Sequence, residues 1–216
     1  MRFRNRRHAG RLLAARLGED TFKDPVVLAL PRGGVPVGYE VAVAMSAPLD
    51  VFVARKVGAP GHEEFGIGAI AEGGESVMDD VVLRLGISAA AFTVLAKREE
   101  TELDRRVERY RGGSSLPDLA GRDVILVDDG LATGVTAEAA LKAIRRLNPP
   151  RVVLAVPVCA PDSQVRLGAI ADRVVCLAAP QAFRAVGVWY DDFSPTTDSE
   201  VLELLALARL RDLSNQ

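Results

Sequence analysis

The chain is short of cysteine, histidine and aromatic residues, and it has neither a dominant charge nor a long apolar run. Two cysteines and two histidines among 216 residues are too few for a disulfide scaffold, and their spacing is not that of a zinc site. Cys159 and Cys176 lie in apolar surroundings and read as buried, reduced thiols of a cytoplasmic protein. A net charge of -2 leaves no basic footprint for nucleic acid or an anionic membrane surface. No stretch approaches the roughly 18 apolar residues of a membrane span. The arginine-rich opening (Arg2, Arg4, Arg6, Arg7, Arg11) is not followed by the apolar run of a secretory leader. The expectation is one cytoplasmic domain, residues 1–216, with a full core and no nucleic-acid or membrane partner. Aromatics are limited to one tryptophan, three tyrosines and seven phenylalanines, and Phe183, Trp189, Tyr190 and Phe193 fall close together.

What is present is organised around Val124-Ile125-Leu126-Val127-Asp128-Asp129-Gly130-Leu131-Ala132-Thr133-Gly134-Val135-Thr136. Four β-branched or aliphatic residues with no polar member read as a strand buried on both faces, as in a parallel sheet. Two carboxylates follow at the strand's carboxyl end, where open α/β sheets bind ligands. The small-residue loop then opens a helix carrying Leu141, Ile144 and Leu147. Such a loop bares backbone N–H groups at the positive end of the helix dipole, which suits a phosphate. Carboxylates beside a phosphate cradle point to a ligand with both phosphate and hydroxyl groups, such as a sugar phosphate.

These thirteen positions resemble the signature of the type I phosphoribosyltransferases: four apolar residues, an acidic pair, two variable positions and a small/Thr/Gly/Thr loop. The resemblance implies that Asp128 and Asp129 hydrogen-bond the ribose hydroxyls of phosphoribosyl pyrophosphate, and that Ala132, Thr133, Gly134, Val135 and Thr136 hold its 5′-phosphate. Mg2+ is the implied cofactor, held by Asp128 and Asp129 indirectly through water and ligand. The implied reaction transfers the 5-phosphoribosyl group to a nucleobase or similar acceptor and releases pyrophosphate. One departure concerns the acceptor. Purine-salvage members carry an aspartate base at the loop's first position, where this chain has Ala132, which argues against a hypoxanthine–guanine activity that depends on that base. A regulator that binds phosphoribosyl pyrophosphate without turning it over is the alternative. Self-association into a homodimer stays open.

The flanking segments supply the order of elements and the partners of this corner. Residues 5–17 carry Ala9, Leu12, Leu13 and Leu17 at helical spacing, stop at Gly18, and are expected to turn their arginines to solvent. Val26–Leu30 forms a second buried strand that ends in Pro31-Arg32-Gly33-Gly34 and runs into a helix. This turn could form another anion-binding nest. The resemblance gives Arg32, Gly33 and Gly34 to the pyrophosphate, gripped by backbone amides often around a non-proline cis peptide. A third strand is expected over Leu49–Ala54, with Arg55 and Lys56 directly after it; the resemblance makes them ligands of the leaving group, and the other reading is two solvated charges at a strand end. The resemblance makes about 55–75 a flexible loop that closes over the site. Residues 67–71 and 76–78 read as a hairpin, and Ser88 caps a long helix to about residue 110. Further strands at 151–158 and 174–178 alternate with a helix from Pro161 to Ala171, giving the βαβ pattern of a mainly parallel sheet. The resemblance makes the aromatic segment within about 180–197 a hood in which Trp189 and Tyr190 stack on a base; the other reading is a cluster that pins the C-terminal helix to the sheet. The expected fold class is α/β: a Rossmann-like, mainly parallel sheet flanked by helices, with a small hood.

Overall fold

A computed structural model describes residues 1–79 and 81–214. Its strands are β1 (Val26–Ala29), β2 (Leu49–Val51), β3 (Ala54–Ala59), β4 (His62–Ala71), β5 (Glu75–Met78), β6 (Asp123–Val127), β7 (Arg151–Val158) and β8 (Arg173–Ala178). Its helices are α1 (Arg6–Leu17), α2 (Gly34–Met45), α3 (Val81–Arg84), α4 (Ala89–Arg111), α5 (Val135–Arg146), α6 (Pro161–Gly168) and α7 (Asp198–Ser214). The main sheet is parallel throughout, in the order β2-β1-β6-β7-β8. β3, β4 and β5 form a separate antiparallel sheet. The Rossmann-like α/β expectation is met.

Side-chain alternation divides the core between two faces. Val27, Ala29, Ile125, Val127, Val153 and Ala155 join Leu13 and Leu17 of α1, Val37 and Val41 of α2, and Val201 and Leu204 of α7. Val26, Leu28, Val124, Leu126, Val152 and Leu154 join Leu141 and Ile144 of α5 and Leu167 of α6. Every residue of β1 and β6 is buried, which is why β1, and β6 after Asp123 at its start, read as unbroken apolar runs. Burying each such side chain contributes about 1.5–3 kcal/mol, against about 0–1 kcal/mol for an exposed ion pair. The central strands therefore dominate the stability of the sheet.

This topology positions the site. Chain growth runs from β1 outward to β2 on one side and from β6 through β7 to β8 on the other, so the direction reverses between β1 and β6. Ligands of open α/β sheets bind outside the carboxyl ends of the strands at such a reversal. The two turns singled out in the sequence, 31–34 and 128–136, leave from those two strand ends.

Helix ends follow local rules. Asn5 caps α1 by accepting from the His8 N–H at 2.9 Å, and Ser88 accepts from the Ala91 N–H at 3.2 Å. Thr197 accepts from the Glu200 N–H at 3.1 Å at the start of α7. Two expectations need correction. The strand expected over Leu49–Ala54 is broken at Phe52-Val53: β2 stays in the main sheet, and Ala54 starts β3 of the antiparallel one. Much of the span expected as a flexible loop is the β3–β4–β5 ribbon, with Arg55 and Lys56 on β3 itself. Glycine-rich composition suggested a loop, but the register shifts at Val57–Ala59 let β3 twist around Gly58 without losing its partner strand.

Candidate functional site

Strand β6 delivers Asp128 and Asp129 to the corner in different hydrogen-bonding states. The Asp129 N–H donates to Asp128 Oδ1 at 2.8 Å, and Arg6 Nε donates to Asp129 Oδ2 at 2.7 Å. The second oxygen of each carboxylate has no hydrogen bond among the described residues. Burial pushes the Asp128 carboxyl well above the usual carboxylate range, and the neighbouring Asp129 charge adds to that. Burial raises Asp129 too, opposed by the charge and hydrogen bond of Arg6. Two crowded carboxylates, each with a free oxygen, suit a ligand that brings hydroxyl donors or a cation.

The turn after β1 packs directly on this pair. The Pro31–Arg32 peptide is cis, and Arg32, Gly33 and Gly34 follow it into α2. A Cβ on Gly33 would stand 2.0 Å from Asp129 Oδ2, and one on Gly34 would stand 2.7 Å from the Val127 carbonyl oxygen. Glycine at both positions lets the two turns approach each other. The Arg32 side chain is 46% exposed, with Nη1 3.9 Å from Asp198 Oδ1.

The loop 132–136 ends as the sequence suggests, in an unblocked helix start. Gly134 takes the left-handed conformation at φ 68° and caps α5 without any side-chain hydrogen bond. The Glu138 N–H is the donor to the Gly134 carbonyl, so the N–H groups of Val135, Thr136 and Ala137 in the first turn have no partner within the helix. Ala132 and Thr133 are exposed, Gly134 and Val135 are buried, and Thr136 lies between. Helix α6 holds the loop's carbonyls: Ser163 Oγ donates to the Ala132 oxygen at 2.6 Å, and Arg166 donates to the Thr133 oxygen. With its carbonyls tied back, the loop has its amides left for an anion.

Leu30, Pro31, Lys56, Arg106, Asp128 and Thr136 line one cleft of about 420 Å³. Lys56 is exposed on β3, and its charge is felt at Asp128. Arg55 shares the cleft wall, but its guanidinium is ion-paired with Glu99 at 2.6 Å and Glu102 at 3.5 Å on α4. An anion would have to displace those carboxylates to recruit Arg55, whereas Lys56 is available.

The aromatic expectation divides in the same way. Tyr190 is 2% exposed, donates its hydroxyl to the Asp129 carbonyl at 2.6 Å, and packs its ring 5.4 Å from Phe3 and 5.0 Å from Phe193. It has no free face to stack on a base and instead braces the acidic turn. Trp189 is half-buried against the same cluster, with a buried Nε1 that finds no hydrogen-bond partner among the described residues. The cluster pins the Phe3 strand segment, paired with Tyr190, rather than the C-terminal helix.

Sequence reading missed Arg6, Arg106, Ser163 and Arg166. Arg6 belongs to a helix whose arginines were assigned to solvent, and its neighbours Arg7 and Arg11 do lie on the surface. The local pattern could not separate one inward arginine from three outward ones, since its partners lie more than 120 residues away.

Comparison with known proteins agrees with this architecture. A family model described as a phosphoribosyl transferase domain matches residues 4–192. A Mycobacterium tuberculosis H37Rv protein provisionally named a phosphoribosyl transferase is 48% identical over 204 residues, which is 94% of this chain and 46% of that protein. The chain thus spans about half the length of the curated relatives it matches. The crystal structure of TT1426 from Thermus thermophilus is 49% identical, covers 95% of this chain and 98% of its own, and superposes with a TM-score of 0.80. AQ2163 from Aquifex aeolicus, at 16% identity, a TM-score of 0.50 and coverage of 84% of this chain and 78% of its own, shares the fold. The chain belongs to the phosphoribosyl transferase domain family. No helix among the described residues is long and apolar enough to cross a membrane.

Proposed function

We propose that this domain transfers a 5-phosphoribosyl group from phosphoribosyl pyrophosphate to a small nitrogen acceptor, with release of pyrophosphate. One observation carries the reading: a free oxygen on each of two adjacent carboxylates lies at the strand reversal, beside the uncapped start of α5. Two adjacent acceptors match the two adjacent hydroxyls of a ribose, and a helix start matches its 5-phosphate.

In this reading the amides of Thr133, Gly134, Val135 and Thr136, with the Thr133 and Thr136 hydroxyls, bind the 5-phosphate. Asp128 and Asp129 hold the ribose. The bond from ribose C1 to the pyrophosphate oxygen breaks as a bond to the acceptor nitrogen forms, and positive charge grows on the sugar. The two carboxylates favour that charge, while Lys56, Arg32 and the amides of Gly33 and Gly34 take the negative charge on the departing pyrophosphate. Hard carboxylate oxygens also fit Mg2+, with the ligand and water completing its shell, since the described residues hold no cluster of three or more metal-ligating side chains. When bound, Mg2+ would supply charge neutralisation at the pyrophosphate. Ala132 has no proton-accepting side chain, so the acceptor's proton passes to solvent or to the acceptor's own basic atoms. That favours acceptors whose nucleophilic nitrogen is already unprotonated.

Exchange of labelled pyrophosphate into phosphoribosyl pyrophosphate, run against a panel of nucleobases and aromatic acids, tests the reading. Exchange with at least one acceptor supports it. Tight binding without exchange under any acceptor would identify a sensor instead.

Two substitutions probe the corner separately. Gly33→Ala is expected to displace the Asp129 carboxylate and weaken phosphoribosyl pyrophosphate binding about tenfold or more, because the new methyl overlaps Oδ2. Gly18→Ala, whose Cβ meets only ordinary contacts at 3.5 Å, should leave the titration unchanged. Thr133→Val removes one donor to the phosphate and is expected to cost about 1.5–3 kcal/mol of affinity by calorimetry. An unaltered titration would exclude the Thr133 hydroxyl from the phosphate site.

A further inference from the structure

We infer that Arg6 is the positioning residue of the sugar-binding pair, and that through it helix α1 is part of the site. The inference rests on the transferase reading and adds to it an element that the acidic motif itself does not contain.

The geometry sets Arg6 apart from the other arginines near the N-terminus. Its Nε donates to Asp129 Oδ2 at 2.7 Å, its Nη1 donates to the Ser194 carbonyl at 2.7 Å, and its guanidinium carbon lies 3.9 Å over the centre of the Phe193 ring. The Arg6 and Asp129 side chains are only 11% and 15% exposed, whereas the nearby Arg2–Asp191 pair is 64% and 57% exposed. Exposed pairs contribute little and rearrange freely. A guanidinium fixed on three sides, with its pair screened from water, cannot.

What this anchoring does follows from the hydrogen-bond count. A carboxylate on a short side chain can swivel about its last torsion and present either oxygen. Arg6 occupies Oδ2, and Gly33 leaves space there that any side chain would fill. Tyr190 holds the same residue's carbonyl at 2.6 Å. Oδ1 is therefore the oxygen left to accept from a ligand, and its direction is set by α1, by the turn after β1 and by the 190–194 segment together. Arg6 also offsets the repulsion between the two neighbouring carboxylates, so both can face one diol. Lysine replaces it only in part: a compact ammonium cannot serve Asp129 and the Ser194 carbonyl at once while lying flat on a ring.

Titration of wild type, Arg6→Lys and Arg6→Gln with phosphoribosyl pyrophosphate and with inorganic pyrophosphate, both in Mg2+-free buffer so that neither ligand reaches Asp129 through the metal, tests this. Pyrophosphate has no sugar and so does not need Asp129. Arg6→Gln is expected to lose about 10- to 100-fold in affinity for phosphoribosyl pyrophosphate and to bind pyrophosphate as wild type does. Arg6→Lys should fall between the two. Thermal unfolding of each variant controls for folding. If both ligands weaken equally, or if Arg6→Gln keeps the wild-type preference for the sugar ligand, Arg6 does not position the pair. If wild type itself binds phosphoribosyl pyrophosphate no better than pyrophosphate, the transferase reading fails, and this inference fails with it.

Discussion

Replacing Asp128 and Asp129 together with asparagine is expected to abolish pyrophosphate release while leaving the domain folded. The amides match the carboxylates in size and can keep accepting from Arg6 Nε and from the Asp129 backbone N–H, so the turn retains its hydrogen bonds. Both negative charges disappear. Loss of a single preorganised electrostatic group at a reacting centre typically costs about 10²–10³ in rate, so losing two places the variant at least about 10³-fold below wild type. Stability should move little, or upward, because burial already penalises the charged form of both groups. A pyrophosphate-release assay beside a thermal melt separates these effects. Turnover at the wild-type level would remove the pair from the reaction; a melting point that collapsed would show the pair to be structural.

The second large effect concerns the frame rather than the chemistry. Arg111→Met is expected to lower stability by about 3–5 kcal/mol, the usual cost of leaving buried charges without their partner. Arg111 ends α4 with 4% of its side chain exposed, donates to Glu72 at 2.5 and 2.8 Å and to the Val51 carbonyl at 2.6 Å, and approaches Asp50 at 3.5 Å. It therefore ties the β4–β5 turn to strand β2, and through that ribbon it sets where β3 holds Lys56 over the cleft. For a domain of this size the loss corresponds to roughly 6–20 °C in melting temperature. The effect should depend on pH. Burial raises the pKa of Asp50, and Arg111 is its main opposing charge. Without Arg111 the carboxyl is raised further above its unfolded value, so folding takes up a proton and the variant's stability falls as pH rises from the unfolded value through the folded one, beyond the point where wild type levels off. Melts taken from the ordinary carboxylate range upward should show the gap to wild type widening as pH rises; a gap that narrowed would contradict this account of the triad.

The legible part of this protein is the part governed by neighbours in sequence. Val124–Val127 announced a strand buried on both faces because no polar residue interrupts it, and the acidic pair followed by a small-residue loop marked the turn that the structure sets at the strand reversal. The turn after β1 was legible for the same reason. What the sequence did not disclose depends on partners far along the chain. Arg55 looks like a free basic residue after a strand, yet Glu99 and Glu102 of α4 hold it. Tyr190 looks like a ring for stacking, yet Phe3 and the Asp129 carbonyl, 187 and 61 residues away, bury it. The turn-forming composition of residues 57–66 read as a loop, and cross-strand pairing makes that stretch a ribbon. Arg6 is the costliest omission, since nothing within its own helix distinguishes it from Arg7.

The central claim is that one corner, between the ends of β1 and β6, grips a sugar phosphate through two different kinds of group. A crystal structure of the full chain with phosphoribosyl pyrophosphate and Mg2+ tests it most directly. The account predicts the 5-phosphate against the amides of residues 133–136, and the ribose hydroxyls within hydrogen-bond distance of Asp128 and Asp129, with Arg6 still on Asp129 Oδ2. A ligand bound elsewhere on the domain, or one seated in the corner with its sugar turned away from both carboxylates, would contradict it.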